Sequence, residues 1–126
     1  MTPKQSVDSS GMQDPRAIHE WVREFNWDDD LAPIWAIAHR ADTEFATALL
    51  IYWRLEGPWI SRSDSNSDAV KLHDFVEARL LSGAYAKGSI SYDPVAENAL
   101  SRVQVAKLKR SGFPSRLLEQ VTIADE

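Results

Sequence analysis

One run, Phe45 to Leu55, constrains this chain more than any other stretch. Written on a helix, Phe45, Ala46, Ala48, Leu49, Leu50, Ile51, Tyr52 and Trp53 leave almost no polar face, with only Thr47 and Arg54 interrupting. A helix apolar on every side is stable only where other elements cover it, in the middle of a bundle. It is too short to cross a bilayer, which takes about 20 residues. Asp42 is expected to cap this helix and Gly57-Pro58 to end it. The fold class that follows is all-α: a compact bundle of about five or six helices around a central helix at roughly residues 42–55. Leu49, with Tyr52 or Trp53, should be among the most buried residues.

The covering helices are legible from caps and stripes. Asp14-Pro15 reads as an N-cap with proline at the first helical position, and Ile18, Trp21, Val22 and Phe25 follow at helical spacing. Asn26-Trp27-Asp28-Asp29-Asp30 breaks that helix and opens a second one, whose stripe is Leu31, Ile34, Trp35 and Ala38. Pro33 is tolerated in its first turn. Ser61 to Asp68 is a polar loop. A fourth helix carries Ala69, Leu72, Val76 and Leu80 to an end near Gly83, and residues 88–92 suit a short extended connector. Asp93-Pro94 repeats the cap-and-proline signature before one further helix with Ala96, Ala99, Leu100, Val103 and Ala106, closed by Gly112-Phe113-Pro114. Ser115 is placed as the cap of a last short helix with Leu117, Leu118 and Val121. Residues 1–13, polar and nearly devoid of large apolar side chains, are expected to form a disordered tail ahead of a single domain at 14–126.

Charge and cysteine usage narrow the chemistry. With no cysteine in 126 residues there is no disulfide, thiol nucleophile or thiolate metal site. The net charge of −5 sits mostly in residues 1–30, where seven acidic side chains face three basic ones. Such a surface repels nucleic acid and anionic lipid and attracts basic proteins. The basic run Arg102, Lys107, Lys109, Arg110 and Arg116 lacks interleaved exposed aromatics for base stacking and reads as a solvated face. The first residues lack the apolar core of a signal peptide, so the cytoplasm is the expected compartment.

No catalytic, cofactor or metal constellation emerges. Asp28-Asp29-Asp30 lacks the alternating oxygens, glycine turn and distal glutamate of a calcium loop, and two of the three suit the start of the second helix instead. His19, His39 and His73 have no zinc-helix spacing and are expected at the surface or boundary. Of the five tryptophans, Trp21, Trp35 and Trp53 fall on core stripes. Trp27 and Trp59 sit at helix breaks and are the candidates for exposed binding anchors.

Phe25-Asn26-Trp27-Asp28-Asp29 resembles the signature of a bacterial family of unknown function, aromatic-Asn-Trp-Asp-Asp-Gly, here with Asp30 in place of the glycine. Asp42 to Tyr52, with Ala46-Thr47-Ala48-Leu49-Leu50, is similar to the family's second hallmark. Ser82-Gly83-Ala84-Tyr85 and Tyr92-Asp93-Pro94 resemble its third. The resemblance spans about residues 18–95 and implies a compact helical domain. Family members resemble small acidic proteins found beside secreted bacterial toxins, which implies an immunity role.

The leading expectation is therefore a protein-binding module, an immunity protein that neutralises a cognate toxin, a basic one by the charge argument. Its partner-binding candidates are Glu24, Trp27, Asp28, Asp29, Asp30 and Trp59, with no nucleic acid or membrane partner. The alternative is a small-ligand or enzymatic pocket around Trp27, Asp28 and Asp29.

Overall fold

A computed structural model describes residues 14–63 and 66–122; the tail expected at 1–13 lies outside them. The described residues form six α-helices: α1 (Pro15–Arg23), α2 (Ala32–His39), α3 (Phe45–Arg54), α4 (Asp68–Ser82), α5 (Pro94–Glu97) and α6 (Arg102–Arg110). Single 3₁₀ turns occupy Gly57–Trp59 and Ser115–Leu117. Strand structure among them is limited to two isolated bridges, Glu44 with Ala86 and Tyr92 with Val121, so the fold is all-α. Among the described residues, no helix is long and apolar enough to cross a membrane.

The all-round apolar helix takes the central place. α3 packs against α1, α4, α5 and the 57–59 turn. Every residue from Phe45 to Trp53 is buried, Leu49 and Tyr52 completely. Polar groups drawn into this core find partners, as burial requires. Thr43 donates its hydroxyl to the Ile37 carbonyl at 2.6 Å, Tyr85 to Ala38 at 2.7 Å, and the Trp53 indole to Leu117 at 3.0 Å. Gly57 is obligatory at the end of α3. Its φ is +52°, and a Cβ there would stand 2.8 Å from the Trp53 ring.

Asp14 caps α1 by accepting from Arg16 N, with Pro15 at the first helical position. α2 seats Ile34, Ile37 and Ala38 in the core, and its outer edge meets α4 through the His39 ring stacked on Phe75, 4.4 Å between centroids. The Trp35 indole donates to both Asp68 oxygens at 3.1 Å. α4 inserts Leu72, Val76 and Leu80, and Gly83 closes it at φ +82°.

Four expectations are corrected. Asp42 does not cap α3: its carboxylate takes the Arg40 guanidinium at 2.8 Å, and Glu44 occupies the cap position without a side-chain cap bond. Glu44 instead reaches across the fold to accept from Ser89 N, Ser89 Oγ and Ile90 N. The single helix expected after Asp93-Pro94 is two. The chain turns at Ala99 (φ +51°) and restarts α6 with a capping box, Ser101 and Gln104 each bonding the other's backbone N–H. Ala96, Ala99 and Val103 are consequently exposed, and Leu108 is the buried residue of α6. Ser115 caps nothing, because Pro114 holds the cap position of a 3₁₀ turn. Trp21, Trp35 and Trp53 do pack on the core, Trp53 inside it and the other two half-buried at its edge. Finally, His19 and His73 are buried, at 3% and 2% exposure; only His39 is on the surface.

Candidate functional site

The turn between α1 and α2 gathers five of the six candidate binding residues. Its backbone is held by its own short side chains, which compete well for nearby N–H groups. Asn26 Oδ1 accepts from Asp28 N at 3.1 Å, and the Asn26 carbonyl accepts from Asp29 N at 2.9 Å. Asp30 Oδ1 then accepts from Ala32 N at 3.0 Å, satisfying a donor at the start of α2. One carboxylate, not two, therefore supports the helix start. Among the described residues Asp28 and Asp29 make no side-chain bond, and they are exposed with Glu24 and Asp30. None of the four enters an ion pair among the described residues. They also do not converge as metal ligands would.

Beneath these charges lies an aromatic ladder. Trp27 stands edge-on to Phe25 at 5.2 Å, and Phe25 packs on Trp21 at 5.3 Å, geometries that suit ring quadrupoles. Trp27 is half-buried, and its indole N–H is enclosed with no acceptor among the described residues. Trp59 stands apart, half exposed on the 57–59 turn and resting on Trp53 at 6.0 Å. The turn thus combines uncompensated negative charge with a stiff aromatic base. It has the means to attract a cationic surface.

Residues 13–85, more than half of the chain, match the model of a domain of unknown function, DUF4274. The chain belongs to that family. The DUF4274 match takes in α1 to α4 and the acidic turn. α5, α6 and the residues after them lie beyond it. No curated protein and no solved structure matches the chain.

Three clefts on this DUF4274 protein, of about 320, 460 and 390 Å³, are lined by residues other than the acidic turn, so the pocket expected around Trp27, Asp28 and Asp29 is not among them. The first runs along α1 past Arg16, His19 and Arg23 to Ser89 and Ser91. Arg23 there is committed to Glu97 at 2.7 Å. His19 closes the floor of that cleft. The Arg23 guanidinium can only donate, so His19 Nε2 (3.4 Å away) accepts, and Nδ1–H donates to Thr47 Oγ1 at 2.9 Å. Burial, then the Arg23 charge, holds the His19 imidazole below its usual pKa. Among the described residues, one group of side chains converges as metal ligands would: His73, Asp74 and Glu77 on α4. Neither buried histidine was legible as such, because the partners of His19 and His73 on α3 and the 57–59 turn are distant in sequence.

Proposed function

We propose that this chain is a protein-binding module that offers its α1–α2 turn to a basic protein, acting in the cytoplasm as an immunity protein that neutralises a cognate toxin. One observation carries the binding reading: Glu24, Asp28, Asp29 and Asp30 are exposed, with no ion pair among the described residues, on a turn fixed by Asn26 and Asp30. Clustered like charges are left uncompensated at a cost in self-repulsion. A complementary partner turns that cost into faster and more selective association. The immunity role adds small size, localised acidity and the family resemblance of the sequence motif.

The test is co-purification with the product of the neighbouring gene, followed by binding kinetics at two salt concentrations. Exposed carboxylates act through a field screened over roughly 8–10 Å, so Asp28→Asn with Asp29→Asn should slow association and blunt its salt dependence. Trp27→Ala or Trp59→Ala should act on dissociation, provided the variant melts as the wild type does, because an anchor must leave its pocket before the partners part. An association rate indifferent to salt and to both carboxylates excludes this turn as the docking face.

A further inference from the structure

Away from the acidic turn, α4 crosses α3 and the 57–59 turn at His73. The ring is 2% exposed, and its Nε2 lies 2.7 Å from the Gly57 carbonyl oxygen. A carbonyl only accepts, so Nε2 carries the proton. In the neutral ring, Nδ1 then presents a bare lone pair. That lone pair faces acceptors. Asp74 Oδ1 is 2.9 Å away, and the Glu77 carboxylate, one helical turn on, brings a third ligand atom into a group no more than 4.8 Å across. The Tyr52 hydroxyl donates to Glu77 Oε2 from the α3 side at 3.4 Å. A lone pair set against two carboxylates needs a cation among them.

We propose that His73 Nδ1, Asp74 and Glu77 bind a divalent ion of the zinc class, with solvent completing the coordination. Imidazole together with carboxylate oxygens suits zinc and its neighbours rather than magnesium or calcium. A ligating histidine whose other N–H is fixed on a backbone carbonyl is the usual outer-sphere support of such an ion. Around a tetrahedral ion, ligand atoms at about 2.0–2.2 Å lie about 3.3–3.6 Å apart. The widest pair therefore closes by up to about 1.5 Å, within the reach of two carboxylates that are not buried. Arg62 now holds both Asp74 oxygens, at 2.8 and 3.1 Å. That pair is half exposed on both sides, and such pairs are weak enough for Asp74 to yield an oxygen. The His73 Nε2–H bond to the Gly57 carbonyl would tie the ion's ligand shell to the turn that carries Trp59.

Calorimetry of the full chain with zinc chloride at neutral pH, and cobalt(II) absorption as a coordination probe, test this. One site is expected, with a raised melting temperature for the zinc-loaded protein. Glu77→Gln and Asp74→Asn, both on side chains outside the core, should weaken binding by on the order of a hundredfold while the metal-free variants melt normally. Asp28→Asn should leave binding unchanged. No heat and no thermal shift with zinc would overturn the site. Binding that survives both carboxylate variants would overturn it equally.

Discussion

His19 shows how one buried side chain sets a pH dependence for the whole fold. Its imidazole is neutral in the folded protein, accepting from Arg23 and donating to Thr47, with its pKa lowered by burial and by Arg23 against the opposing carboxylates Glu20, Glu97 and Glu44. The unfolded chain titrates near the ordinary value of about 6.5. Below that pH the unfolded state binds the extra proton first, so His19's contribution is complete above about pH 6.5 and is lost as the pH falls through the folded pKa. Melting curves between about pH 5 and 8 should show the wild type losing stability on acidification more steeply than His19→Gln. Parallel curves for the two would place the pH dependence elsewhere. Leu49 tests the centre of the core more bluntly. The residue is fully buried in α3, and Leu49→Asp puts an unpaired charge there at a cost of several kcal/mol. Total stability is about 5–15 kcal/mol, so this variant should lose its cooperative thermal transition. A normal melt would contradict the place given to α3.

At the scale of elements, the caps divide into those that local spacing announces and those that only the assembled fold creates. Ser101 and Gln104 form a reciprocal capping box at the start of α6. Ser101→Ala should cost about 1 kcal/mol, the usual value of an N-cap, measured by urea unfolding. A change near zero would mean that α6 draws its stability from packing alone. That Ser-x-x-Gln spacing was readable in the sequence, yet the alanine-rich stripe from Ala96 to Ala106 argued for one continuous helix. The stripe misled because alanine fits exposed and buried faces alike; here Ala96 and Ala99 are exposed. Asp14 and Asp93, each followed by proline, were reliable because the cap bond spans only two residues. Glu44 was illegible for the opposite reason. Its three acceptor bonds reach 45 and 46 residues along the chain, and no pattern near Glu44 points to residues 88–90. Gly88 makes that reach possible, since a Cβ there would meet the Glu44 carboxylate at 2.6 Å. The acidic turn divides the same way: Asn26 and Asp30 as backbone acceptors follow from residue type, whereas the enclosed indole of Trp27 depends on how α1 and α2 come together.

For the whole molecule, the family boundary and the core boundary do not coincide. The DUF4274 match ends at residue 85, but the segment after it contributes Ile90, Tyr92, Leu108, Leu117, Leu118 and Val121 to the same hydrophobic core. Trp53, at the end of α3, donates its indole N–H to the Leu117 carbonyl. Glu44 holds the 89–90 backbone against the start of α3, and Tyr92 pairs with Val121 through bonds of 3.0 and 2.7 Å. Each fully buried large apolar side chain is worth about 1.5–3 kcal/mol, so six together contribute on the order of 10 kcal/mol. That equals the entire net stability of a typical domain. Loss of this segment also strips water exclusion from the buried face of α3 and leaves the Trp53 N–H without its acceptor, a further cost of about 1–3 kcal/mol if it stays buried. A chain ending after Tyr85 should therefore keep helical circular dichroism at most in part and show no cooperative melt, although it contains every helix of the family match. Adding residues 86–122 back as a separate polypeptide is expected to restore the transition, since the two pieces share one core. A shortened chain that melts cooperatively near the full-length temperature would show instead that α1 to α4 form the folding unit and that the remainder is an appendage.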